Sequence, residues 1–269
     1  MGLTCKGCAA NRVRMAWSCV AVLAVSPWIA SAQSPLPTNN PPPSGTNHQV
    51  SAHELQIPRK AHEAFNHGTQ LLLAKESAAS IVHFQRAIKI YPDFYEAYYK
   101  IGLANVNLQR YSEARSAFER SIELSKGRYA PSQFGLGVVL CAQKDFDGAE
   151  EAVRAGLDEY PSDAAGNFTL GWVQFRGGRM AEAEKSARLA ILSNPALADA
   201  YLLLAQVHLR QNEWTSLVAD VDAYLRLDPD GAHKTQATAI RAEAVQVLAK
   251  QQENKGAAVA KIPASQPQQ

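Results

Sequence analysis

The chain has 269 residues, 46% of them hydrophobic and 19% charged, with a formal net charge of +2. A balance that even makes no case for nucleic acid, which needs a basic face. Cys5, Cys8 and Cys19 all fall in the first segment and only Cys141 lies in the body of the chain, so internal disulfides cannot hold that body together.

The first segment reads as an address rather than a fold. Lys6, Arg12 and Arg14 precede an apolar run from Met15 to Ile29, which ends in Ala30-Ser31-Ala32. This is the layout of a secretory signal peptide over residues 1–32, cut before Gln33. The run is about 15 residues and contains Pro27, short of the roughly 20 that a membrane span needs. Cys19 stands too early for a lipidation box, and Val13 separates the two arginines of any twin-arginine signal. Cleavage removes three basic residues, taking the net charge from +2 to −1. The expected destination is the periplasm or the cell exterior.

Residues 33–60 are rich in Pro, Asn, Ser and Thr around Pro41-Pro42-Pro43. Such a stretch buries too little apolar surface to fold and is expected to be a disordered linker.

A repeat then begins. Small residues recur at Gly68, Gly102, Gly137, Gly171 and Ala205. Twelve residues on stand Ser80, Ala114, Ala149, Ala183 and Leu217, and seven further Ala87, Ser121, Gly156, Ala190 and Tyr224. Pro92, Lys126, Pro161, Pro195 and Pro229 close the units. A period of about 34 residues marks stacked supersecondary units. Arrays of this kind present extended binding surfaces.

These residues resemble the tetratricopeptide repeat (TPR) family over Ala61–Gly231. Phe84 and Phe118 match its aromatic position in the second helix. Ile101, Leu136, Leu170 and Leu204 match the apolar residue before the small one. The resemblance implies an all-α, right-handed solenoid of about five helix-turn-helix units: 61–94, 95–129, 130–163, 164–197 and a divergent 198–231. In the second unit Lys126-Gly127-Arg128 replaces the proline turn, and Pro131 is expected in the first turn of the next helix. Leu217 and Tyr224 point to a looser or terminal fifth unit. A further helical pattern over 235–252 is expected to cap the array, with Ala239, Ala242, Ala244, Val245, Val247 and Leu248 as its apolar residues. Residues 253–269 are expected to be a disordered tail.

The resemblance also assigns inward-facing columns on the first helix of each unit. One reads Phe65, Tyr99, Phe134, Phe168 and Leu202, and the next Thr69, Leu103, Val138, Trp172 and Gln206. A third reads Leu72, Val106, Cys141, Phe175 and Leu209. The expected groove residues are Phe65, Tyr99, Leu103, Phe134, Val138, Phe168, Trp172 and Phe175, with Arg176 and Arg210 at the rim. Phe168 divides evenly between core and groove. Phe65 and Thr69 stand where the subclass that grips C-terminal carboxylates carries Lys and Asn, which argues against that subclass. The expected function is a non-catalytic adaptor that holds a partner peptide or helix. The alternative is a cell-wall or polysaccharide module stacking sugars on groove aromatics.

Nothing in the sequence composes an active site. His62 and His67 are five residues apart, about 140° around a helix, and cannot share a metal from one helix. His83, His208 and His233 fall in separate elements. Cys141 sits among apolar neighbours and reads as an inert thiol. No phosphate loop or nucleophile elbow occurs. No catalytic residue, cofactor or metal is expected.

Overall fold

The computed structural model describes residues 56–259, which form eleven α-helices and no strand. The expected signal peptide, most of the linker and residues 260–269 lie outside the described residues. The first helices of the five hairpins are α1 (Arg59–Leu73), α3 (Tyr95–Asn107), α5 (Ala130–Ala142), α7 (Ala164–Arg176) and α9 (Ala198–Gln211). The second helices are α2 (Ser77–Ile90), α4 (Tyr111–Ser125), α6 (Phe146–Glu159), α8 (Met180–Ser193) and α10 (Trp214–Leu227). A long α11 (Lys234–Val259) follows. No described helix is long and apolar enough to cross a membrane.

Two kinds of turn punctuate the array. Within each hairpin one residue adopts the left-handed conformation: Lys75, Gln109, Lys144, Gly178 and Asn212. The chain closes there by a recurring pair of backbone bonds. In the first hairpin Lys75 N–H donates to Leu72 O at 3.0 Å, and Glu76 N–H reaches back to Leu71 O at 2.9 Å. That six-to-one closure satisfies the last carbonyls of the helix and turns the chain sharply. Between hairpins, proline ends the helix. Tyr91, Tyr160, Asn194 and Asp228 each precede a proline and have left the helical region, with φ between −142° and −133°. Pyrrolidine crowding disfavours helix at that residue. The second unit lacks the proline; Lys126 and Gly127 both take positive φ instead, and Pro131 opens α5 in its first turn.

Where the two helices of a hairpin cross, the small residue of the first admits a side chain of the second. A Cβ on Gly68 would lie 2.8 Å from the Phe84 ring, and one on Gly102 would fall on the Phe118 ring. At Gly137 the facing side chain is Val153. At Gly171 the facing helix itself has closed in, with Ala183 O 3.1 Å and Ala187 N 3.2 Å from the added carbon. Phe84, Phe118, Val153, Ala187 and Val221 share one repeat position, and all are buried. The fifth hairpin departs from small residues at Leu217 and Tyr224, yet both are fully buried. They fill its core, so the unit is terminal but not loose.

Successive hairpins join chiefly where a second helix meets the first helix of the next unit, with lesser packing between the first helices themselves. α1 packs on α3, α3 on α5, α5 on α7 and α7 on α9, while each second helix packs on the first helix that follows it. The second helices of successive hairpins form no packing pairs of comparable extent. A cleft between α2 and α4, lined by Ile81, Gln85, Ser112 and Ser116, marks that separation. Buried polar groups pin the junctions. Ser121 Oγ donates to Tyr95 O at 2.8 Å and meets Ser132 Oγ at 2.6 Å. Gln174 donates to Glu150 at 3.1 Å and accepts from Ser186 at 2.8 Å, tying α6, α7 and α8. Burial pushes the Glu150 carboxyl up, but Arg154, Gln174 and Arg179 together hold it below its usual range. His208, almost wholly buried, places Nδ1 2.6 Å from Asp220 Oδ2, with Glu184 and Glu213 3.7 and 3.8 Å from Nε2.

Both ends depart from the expected boundaries. Arg59 and Lys60 already belong to α1, and Ile57 is buried in a cluster with Ala61, Phe94 and Ala97. The linker therefore stops short of residue 60, because Ile57 is needed to cover the first hairpin. α11 continues past Gln252 to Val259, so the start of the expected tail is helical. Its contact face also differs. Ala237 and Ala244 are buried, whereas Ala239, Ala242 and Val245 are exposed. Arg241 joins that face in a two-point ion pair with Asp222 of α10.

Lys100 of α3 is nearly enclosed, at 6% exposure, and its ammonium lies 5.6 Å from the Tyr99 ring centroid. Burial pulls its pKa down to about 8.

Gly102→Ala should lower unfolding free energy by about 1–3 kcal/mol in urea titrations, since the enclosed Phe118 ring has nowhere to go. Gly171→Ala should cost less. At the exposed turn, Lys144→Gly should add about 1 kcal/mol, because the left-handed backbone no longer crowds a Cβ. For Lys100 the unfolded chain holds its proton more tightly, so the residue's penalty is full below pH 8 and fades toward pH 10.5. Lys100→Met should therefore stabilise by about 2–3 kcal/mol at pH 7, with most of that gain gone at about pH 10.

Candidate protein-interaction surface

The inner positions of α1, α3, α5, α7 and α9 come together because these helices pack on one another in sequence. The side chains they carry divide into three kinds.

Some of the expected groove residues are packing residues. Phe134 is 8% exposed, and its ring lies where Cβ atoms on Gly156 or Gly166 would stand. It is a knob filling the joint between the third and fourth hairpins. Tyr99 is equally buried, with its ring 5.9 Å from Phe118 and 5.4 Å from Tyr129. Desolvation raises its phenol to about 12. Trp172 retains 7% exposure. Cys141 is fully buried, and burial lifts its thiol to about 12, with nearby Arg176 opposing. A thiol held neutral in this way is a poor nucleophile.

A second group is half-buried and still presents a surface: Phe65, Leu103, Val138, Phe168 and Phe175. Phe65 stacks on Phe94 at 4.8 Å, so one ring face is already used.

The third group is cationic. Arg176 is half-buried and its guanidinium carbon sits 5.4 Å from the Trp172 ring centroid. Arg210 reaches from α9 to lie 5.5 Å from the Phe175 ring on α7. Planar guanidinium over an aromatic face is favourable, and the stacking leaves the edge N–H groups free to donate outward. The apolar columns of the fourth and fifth hairpins are thus partly roofed by positive charge. Column periodicity identified the rings. It could not show that the arginines fold back over them.

The descriptions of known proteins agree with this architecture. Tetratricopeptide repeat profiles match residues 95–127, 134–196 and 168–232. No curated protein sequence matches the chain. Among solved structures, the Cut9–Hcn1 hetero-tetramer of the APC/C superposes with a TM-score of 0.63 at 17% identity, covering 70% of this chain and 38% of that one. PilF of Pseudomonas aeruginosa gives 0.62 at 15% identity, covering 72% and 86%. A thermophilic TPR protein of Thermus thermophilus gives 0.60 at 19% identity, covering 69% and 99%. Identities this low establish a shared fold. With the repeat profiles, the five hairpins and their small-residue crossings, they place this chain in the tetratricopeptide repeat family.

Proposed function

We propose that the chain is a non-catalytic protein-interaction scaffold, exported to the periplasm or beyond, that holds a partner segment along the inner side of its first helices. The observation that carries this reading is the pair of arginines stacked on Trp172 and Phe175. Each guanidinium is held in place by the ring beneath it, so little side-chain freedom is lost when it bonds a ligand. Leu103, Val138 and Phe168 extend an apolar strip beside them. A strip of that kind flanked by fixed cations suits a peptide or helix that alternates apolar side chains with Asp or Glu.

Export rests on the basic leader, the short apolar run and Ala30-Ser31-Ala32. The family's usual role as an interaction scaffold supports the absence of catalysis, as does a buried, neutral Cys141. Sugar stacking is the weaker reading, because it needs open ring faces and Phe134 and Trp172 are buried.

Trp172 is a poor position to test, since removing a ring this enclosed would cost about 3–5 kcal/mol of stability. The arginines are the better handle. Arg176→Glu with Arg210→Glu should leave the melting temperature nearly unchanged and abolish recovery of the partner crosslinked from Gln206 in intact cells. Undiminished recovery would sink the groove reading. Mass spectrometry of the exported chain should find Gln33 at its N-terminus; a chain retained in the cytoplasm with Met1 in place would overturn export.

A further inference from the structure

The first hairpin holds a pair of histidines that the interaction surface does not use. His67 on α1 and His83 on α2 have ring centroids 4.1 Å apart, tilted by 44°. Among the described residues neither imidazole has a hydrogen-bond or ion-pair partner. His67 is exposed and His83 half-buried.

Their meeting is dictated by the backbone. His67 precedes Gly68 and His83 precedes Phe84, and Gly68 rests on the Phe84 ring at the helix crossing. The two histidines therefore flank the tightest point of the hairpin, where α1 and α2 have no room to slide. At the same two positions the other hairpins carry Ile101 and Ala117, Leu136 and Ala152, Leu170 and Ser186, and Leu204 and Asp220. Only the first hairpin breaks the apolar column of the first helices, and it carries imidazole on both sides of the contact.

We infer that His67 and His83 form a two-imidazole binding site for a divalent late first-row metal ion, of which Zn2+ is the representative. Imidazole nitrogen is a favoured donor for zinc, copper and nickel, and not for magnesium or calcium. Zinc–nitrogen bonds of about 2.1 Å at a tetrahedral angle set the two nitrogens about 3.4 Å apart. Two imidazoles so bound keep their centroids about 5 Å apart, so the rings, now 4.1 Å apart, part by about 1 Å as their side chains swing to take up the ion. Glu63, one turn before His67, is taken by Arg59 at 2.9 Å. No group of three such donors is assembled among the described residues. The ion accordingly has two protein ligands and completes its shell with water, which keeps it exchangeable. Bound there, it joins α1 to α2 and stiffens the end of the array that the linker enters. This does not depend on what the inner surface holds.

The test is a Zn2+ titration of the full chain followed by thermal melting and by the imidazole proton resonances. Saturating Zn2+ should raise the melting midpoint by about 3 °C and shift the His67 and His83 signals together, with reversal by chelator. His67→Gln and His83→Gln should each remove both effects, while His62→Gln, whose ring packs on Phe94, should retain them. Because the comparison is between variants of one chain, any zinc taken up by Cys5 and Cys8 cancels. An equal response from native and His67→Gln chains would overturn the site. So would a His83 signal that stays still, leaving the pair as a solvated polar end only.

Discussion

The array depends on one constraint, the close crossing of the two helices in each hairpin. A glycine at the centre of a helix weakens that helix by about 1 kcal/mol relative to alanine. Four hairpins accept that cost because the missing methyl lets a side chain or a whole backbone come nearer. The crossing is filled in different ways along the chain. In the first two hairpins a phenylalanine lies against the glycine, in the third a valine, and in the fourth Ala187 lets the helices themselves close up. The fifth reverses the scheme, with Ala205 on the first helix and Leu217 and Tyr224 buried on the second. Either way the crossing is filled without a void, as a close-packed core requires.

From that crossing follow the candidate surfaces. A tight hairpin has a defined inner edge, so the columns of α1, α3, α5, α7 and α9 align without any further interaction. It also determines which neighbours of the small residues can meet, as His67 and His83 do. Around these fixed points the polar side chains are specific to each joint. Ser121 serves one, Gln174 another, and the His208 group, whose Asp220 carboxyl is raised by burial against the pull of His208, a third.

Much of the fold was legible because its determinants are backbone determinants. Gly68, Gly102, Gly137 and Gly171, with Pro92, Pro161, Pro195 and Pro229, announce where helices touch and where they stop, whatever their neighbours do. The surface was less legible because side-chain reach is not periodic. Phe134 and Trp172 sit in inward columns, yet both are buried, and the Phe134 ring turns into the joint between the third and fourth hairpins. Arg176 and Arg210 stood at the rim in the column scheme and turn out to lie over rings. Ile57 escaped notice because a single apolar residue beside Pro58 carries no period. The histidine pair escaped for a related reason: its members are adjacent only across a crossing, not along a helix.

The unequal spacing of the two helix layers has a mechanical consequence. First helices touch one another in sequence, while second helices stand apart from each other, each held by its hairpin partner and, across the joint, by the next first helix. Small rotations at each joint would open or narrow the outer clefts while each second helix keeps its seat on the next first helix. Summed over five units, such hinge-like compliance would let the array change its curvature as a shallow spring does, with the restoring force residing in the joints and not in any one side chain.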